Sequence, residues 1–287
     1  MPIRVSGDAR QQMEKLAEAH PEWSAWLSLY RATLDADADP VWQHAADAAN
    51  VLVAENRARA LPLLAGATMT LPAGLASRWL HDLHPAATGI DAEAAFTASI
   101  NQDHEHLAAL AVAAVIDAET IEVIAHLAAQ PLLRACGRRL ADQIPTGWDH
   151  GACPICGAWP TLAEMRGLER ARRLRCGRCG ADWGLVAFRC PYCGMADHRQ
   201  LGSLVSEENA EAQRVETCLA CHGYLKSIAT LLPWSAEETP LADLATVDLD
   251  LAAREHGYDR PSAPAFDLGI LVMTTSIAAN GAGPHDR

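Results

Sequence analysis

The chain reads as an α + small β protein: a helical N-terminal domain, two small β modules each closed by four cysteines, and a C-terminal helix with an extended tail. Three observations predict this. Apolar residues recur at helical intervals through the first half. All nine cysteines lie at or after Cys136, and eight of them form Cys-x-x-Cys pairs beginning at Cys153. Between those pairs the helical period gives way to short alternating runs flanked by Gly.

The helical part comes first. Residues 21–34 place Trp23, Trp26, Leu27, Tyr30 and Leu34 three and four apart, the mark of a helix with one buried face, and Pro21 suits its first turn. Further helices are expected over 42–60, 74–84, 92–100, 104–116 and 119–140, the last bent or interrupted at Pro131. The Pro/Gly break at 144–152 marks a boundary. Four parts follow: an all-α domain over 1–148, a first four-cysteine module over 149–189, a second over 190–233, and a helix with tail over 234–287. The helical pattern of the last part runs from 240 to 256. The Pro-containing, small-residue end reads as an extended arm that frays.

Composition excludes several function classes. In 287 residues the net charge is −13 and the pI about 5.3, which argues against generic binding to nucleic acid or anionic membrane. The N-terminal stretch lacks the apolar core of a signal peptide, and no apolar run is long enough to span a bilayer. A cytoplasmic location is expected, where nine cysteines point to metal ligation or thiol chemistry rather than disulfides.

The pairs are Cys153/Cys156, Cys176/Cys179, Cys190/Cys193 and Cys218/Cys221. Three run directly into Gly, in CPICG, CGRCG and CPYCG, and the fourth reads CLACHG. Such a turn aims two sulfurs at one ion, and Gly supplies the positive φ it needs. Nineteen residues separate the first two pairs and 24 the last two, room in each case for a hairpin that unites its knuckles. The expected strands are 161–165 with 171–175, turning at Gly167, and 201–205 with 213–217. Serial pairing gives two four-cysteine sites; a cross-braced arrangement is the alternative. Modules of this size bury too little to fold unaided, and a structural ion contributes on the order of 10 kcal/mol. The arrangement is that of rubredoxin, which holds redox-active iron, and of zinc ribbons, which are inert; thiolate ligation alone admits either metal.

The succession CPICGAWP, CGRCGADW, FRCPYCG and ETCLACHGYLK, followed by EHGYDRP and PAF, resembles the formate dehydrogenase accessory protein family FdhE over residues 153 to 266. PAF stands where that family has NPF. The resemblance implies two rubredoxin-like modules with Cys153, Cys156, Cys176, Cys179, Cys190, Cys193, Cys218 and Cys221 as ligands. It favours iron over zinc in two tetrathiolate-bound sites. It also implies a non-enzymatic maturation role in the cytosol, exerted by binding the catalytic subunit of a molybdenum- or tungsten-containing respiratory formate dehydrogenase. Neither nucleic acid nor membrane is an expected partner. Two other readings stay open: a rubredoxin-like electron-transfer protein, and a nucleic-acid-binding zinc ribbon protein.

Other conspicuous residues have plainer readings. Cys136, alone on a helix, reads as a small buried hydrophobe. His81, His84, His104 and His106 read as solvated helix histidines, and His222 is superfluous to a complete cysteine set. Arg166, Arg170, Arg172, Arg173, Arg175 and Arg178 crowd the first module, where they offset tetrathiolate charge or dock an acidic partner. Trp183 and Phe188 are expected to pack the modules together, and Tyr224, Leu225 and Lys226 to cover the second site.

Overall fold

The computed structural model describes residues 9–186, 188–205 and 212–275. The helical layer comprises α1 (Ala9–Ala19), α2 (Ser24–Asp37), α3 (Pro40–Ala48), α4 (Val53–Ala58), a short strand β1 (Thr68–Leu71), α5 (Leu75–Leu83), α6 (Ala92–Asn101), α7 (His104–Ala114) and α8 (Ala118–Leu140). Aspartates start four of these helices. Asp39, Asp91, Asp103 and Asp117 each accept a hydrogen bond from a first-turn N–H of α3, α6, α7 and α8. The helix expected over 42–60 is instead two. Asn50 leaves it to bridge Thr68, and Asn56 turns its amide onto the carbonyls of Leu63 and Ala65.

α8 is the axle of the layer. It runs unbroken through Pro131, because nearly every residue from Ile124 to Gly137 is buried among the surrounding helices and packing outweighs the lost backbone bond. Arg134, also on its buried face, donates to Tyr30 Oη at 2.7 Å and to Gln130 Oε1 at 2.9 Å.

The cysteine-bearing half forms one six-stranded sheet. Its strands are β2 (Leu162–Arg166), β3 (Ala171–Arg175), β4 (Asp182–Gly184), β5 (Leu201–Leu204), β6 (Gln213–Cys218) and β7 (Tyr224–Thr230), in the order β4-β3-β2-β7-β6-β5. The two expected hairpins are present, turning at Gly167 in the first, and β7 extends the second. What sequence did not foretell is the join: β2 and β7 pair in parallel from Ala163↔Ser227 to Arg166↔Thr230, so the two cysteine segments share one sheet.

Helices α9 (Glu238–Leu244) and α10 (Val247–Glu255) replace the single expected C-terminal helix and pack on one sheet face. Beneath them Lys226 is fully buried. It is 2.8 Å from Asp243 and 2.6 Å from Asp250, and Arg260 binds both carboxylates from the other side. Burial alone would raise the Asp243 carboxyl; Arg260 and Lys226 hold it below its ordinary value. The tail then returns to the helical layer as β8 (Leu271–Thr274), paired in parallel with β1. The tail's frayed end would fall at 276–287, outside the described residues.

The helical layer meets the cysteine half through backbone. Leu63 and Leu64 donate to the carbonyls of Pro154 and Ile155 at 2.8 and 3.0 Å. At Gly137 a Cβ would fall 2.0 Å from the Cys179 carbonyl oxygen, so only Gly lets α8 approach that close.

This close approach gives a stability prediction. Gly→Ala inside a helix ordinarily stabilises by up to about 1 kcal/mol. Gly137→Ala should instead cost about 2 kcal/mol, as overpacking does, measured by urea denaturation of the metal-loaded protein. Lys226→Met, which removes one of the two cations that hold Asp243 and Asp250, should cost about 3 kcal/mol in the same assay.

Candidate metal centres

Each Cys-x-x-Cys pair folds into the same knuckle. In all four, the first cysteine's N–H donates to the carbonyl five residues on: Cys153 to Ala158, Cys176 to Ala181, Cys190 to Met195 and Cys218 to Gly223, at 2.8 to 3.0 Å. In the first three a glycine closes the turn with positive φ, Gly157 at 67°, Gly180 at 79° and Gly194 at 75°. In the fourth His222 takes that place at 55°. The histidine is held there by its carbonyl, which accepts from Asp259 N–H at 2.9 Å, and by its ring against Tyr258. That explains the odd CLACHG motif. Gly223 is needed for another reason, since a Cβ would meet Tyr192 at 2.6 Å.

The knuckles assemble in series. The sulfurs of Cys153, Cys156, Cys176 and Cys179 lie within 4.8 Å of one another, as do those of Cys190, Cys193, Cys218 and Cys221. Cross-knuckle pairs stand at 3.5 Å in the first group, Cys153 to Cys179 and Cys156 to Cys176. In the second they stand at 3.7 Å, Cys190 to Cys221 and Cys193 to Cys218. Four thiolates at about 2.3 Å from a tetrahedral ion would be about 3.8 Å apart. Both groups therefore fit a tetrahedral metal and neither is a disulfide. Cys179 N–H also points at Cys176 Sγ at 3.5 Å, the kind of amide contact that stabilises thiolate.

The two groups differ in setting. All four cysteines of the first are buried, sealed between the sheet and the helical layer. In the second, Cys190 and Cys218 are buried while Cys193 and Cys221 are exposed. Sequence showed no sign of this asymmetry, because both groups use nearly identical motifs.

The arginines expected to offset thiolate charge or to dock a partner are mostly engaged within the sheet. Arg166 and Arg173 bind Asp182, at 2.7 and 2.9 Å, and Arg172 binds Glu216 at 2.6 Å. Arg175 reaches the fully buried Glu164 at 2.7 Å, and Arg166 pairs with the same carboxylate. Arg178, on the second knuckle, donates to the carbonyls of Ser99 and Ile100 at the end of α6. Glu164 was not singled out in the sequence, where it is one of two acids, with Glu169, beside the six arginines.

Other readings divide. Cys136 is buried and its thiol is pushed up to about 12 by that burial, as a packed hydrophobe requires. His81 bonds Thr88 and His104 bonds Glu122, and among the described residues neither joins a metal-ligating group. Tyr224, Leu225 and Lys226 are buried; Tyr224 and Leu225 lie beside Cys190 and Cys218, whereas Lys226 points to Asp243 and Asp250 instead of covering the second group. Trp183 is buried too, but Phe188 is 79% exposed and does not join the modules. The turn at 188, with φ of 60°, swings its ring outward.

This geometry defines a class: a helical protein whose sheet carries two serial four-cysteine knuckle modules. Residues 188–266 match the family described as FdhE, C-terminal domain. Curated relatives named Protein FdhE homolog include those of Stutzerimonas stutzeri (36% identical over 115 residues) and Aquifex aeolicus (34% over 114), each alignment covering 39% of this chain. The match spans 37% and 40% of those relatives' own lengths. The crystal structure of the FdhE protein from Pseudomonas aeruginosa superposes with a TM-score of 0.56 at 25% identity, covering 89% of this chain and 93% of that one. The chain thus resembles FdhE, the formate dehydrogenase accessory proteins, in its C-terminal sequence and in its overall fold.

Unequal burial predicts unequal release. In protein holding two metal ions per chain, a chromogenic thiol-competing chelator should remove one within minutes and the other only on unfolding. Cys193→Ser should abolish the fast phase and Cys156→Ser the slow one.

Proposed function

We propose that the chain is a cytoplasmic, non-enzymatic accessory protein that binds the catalytic subunit of a molybdenum- or tungsten-containing respiratory formate dehydrogenase and is needed for its activity. The observation that carries this reading is the coincidence of two serial four-sulfur groups with likeness to FdhE in sequence and fold.

In this reading the eight paired cysteines hold two metal ions, and iron is the favoured one. Bound there, the ion supplies a cross-link between two knuckles and, as iron, a one-electron couple. The chain supplies the rest. Its knuckle turns pre-set the sulfurs, the helical layer keeps water from the first group, and the sheet holds both groups in fixed relation.

The exposure of Cys193 and Cys221 favours a second reading, electron transfer through the second group, because a redox centre must lie near the surface to exchange electrons with a partner. It predicts a reversible voltammetric couple in the iron-loaded protein that Cys193→Ser removes and Cys156→Ser leaves.

Deletion of the gene should abolish respiratory formate dehydrogenase activity while the catalytic polypeptide persists, scored by activity staining and immunoblot. Purified chain should capture that polypeptide. Disappearance of the transcript or polypeptide would sink the maturation reading. Protein purified without added metal should be red, with iron by elemental analysis; a colourless, zinc-bearing protein would remove iron from the proposal.

A further inference from the structure

Among the described residues, one half of the sheet is left uncovered on the face opposite α9 and α10. There a groove of about 340 Å³ runs over β6 and β5 beside the second cysteine group, within the size range of built ligand sites. Its floor is apolar, from Met165, Leu201 and Leu225. Three guanidinium groups line it, Arg172, Arg189 and Arg214, against one carboxylate, Glu216. In a chain of net charge −13 this is a local reversal of sign.

Not all that cationic charge is used internally. Arg172 is almost fully buried and gives Nε and Nη2 to Glu216. Arg189 is paired to Asp149, outside the groove, whereas Arg214 makes no ion pair among the described residues. At the rim Phe188 stands 79% exposed on left-handed backbone, two costs at one residue.

We propose that this groove docks a segment of the client protein in which an acidic residue is flanked by apolar ones. The carboxylate meets Arg214, the apolar side chains lie on the floor, and Phe188 closes over them. Arginine and aromatic anchors around an apolar floor are what protein recognition sites concentrate, and excess positive charge selects an acidic segment. The segment would lie against Cys190 and Cys218, which also line the groove. The inference rests on the reading of the chain as a client-binding protein and names the surface that reading lacks.

The test uses the full metal-loaded chain, the purified formate dehydrogenase catalytic subunit, and overlapping peptides tiling that subunit. Phe188→Ala and Arg214→Glu should each weaken capture of the subunit at least tenfold while retaining both metal ions. Arg57→Glu, a charge reversal on the exposed face of α4, should leave capture unchanged. The peptides that bind wild type should carry an acidic residue between apolar ones and lose binding in the same two variants. Capture that survives both substitutions overturns the groove and leaves the accessory role standing. A wild-type chain that fails to capture the subunit overturns both. A dimer of this chain that both substitutions dissolve would make a second copy the occupant and overturn the client assignment.

Discussion

The contact between α8 and the second knuckle, Gly137 against the carbonyl of Cys179, governs the rest of the architecture. Because no side chain intervenes, the helical layer lies directly on the first cysteine group and removes all four sulfurs from water. Charged thiolates in such a place need compensation, which a metal cation held by the four sulfurs would supply together with the Cys179 amide. The helical core and the first centre are therefore one packing problem. Their residues fall in a single apolar cluster running from Met13 through Leu133 to Cys153, Cys176 and Trp183.

The second centre is attached differently. It hangs from the same sheet through the parallel β2–β7 pair, but the helical layer does not reach it. Its local supports are Tyr192, whose hydroxyl donates to the Tyr224 carbonyl at 2.8 Å, and Pro191, whose carbonyl lies where a Cβ on Gly151 would sit. Below it the Lys226–Asp243–Asp250–Arg260 network locks α9 and α10 to the sheet. One rigid frame thus carries a sealed centre and an open one. The open one borders the groove over β5 and β6.

Much of this was legible in the sequence because it is local. A 3.6-residue apolar period makes a helix wherever it occurs, and Cys-x-x-Cys-Gly closes into a knuckle through bonds within six residues. The helical first half, the eight cysteines and the two hairpins could be read for that reason. The single helix expected over 42–60 failed because Asn50 and Asn56 find backbone partners remote from any helical period.

What tertiary structure decided is everything that depends on distant segments meeting. Sequence alone determined that the first half is mainly helical, which cysteines form knuckles and that the chain is acidic. It left open whether the knuckles pair in series, and it was silent on the parallel join of β2 to β7, the return of β8 to β1 and the unequal burial of the two centres. Knuckle motifs are nearly interchangeable, so what distinguishes the centres is what covers them. The arginine-rich stretch shows the same division: its charge was plain, but only the sheet register, setting Arg173 opposite Glu164 and Arg175 within reach of that carboxylate, decided that most of it is spent inside the protein.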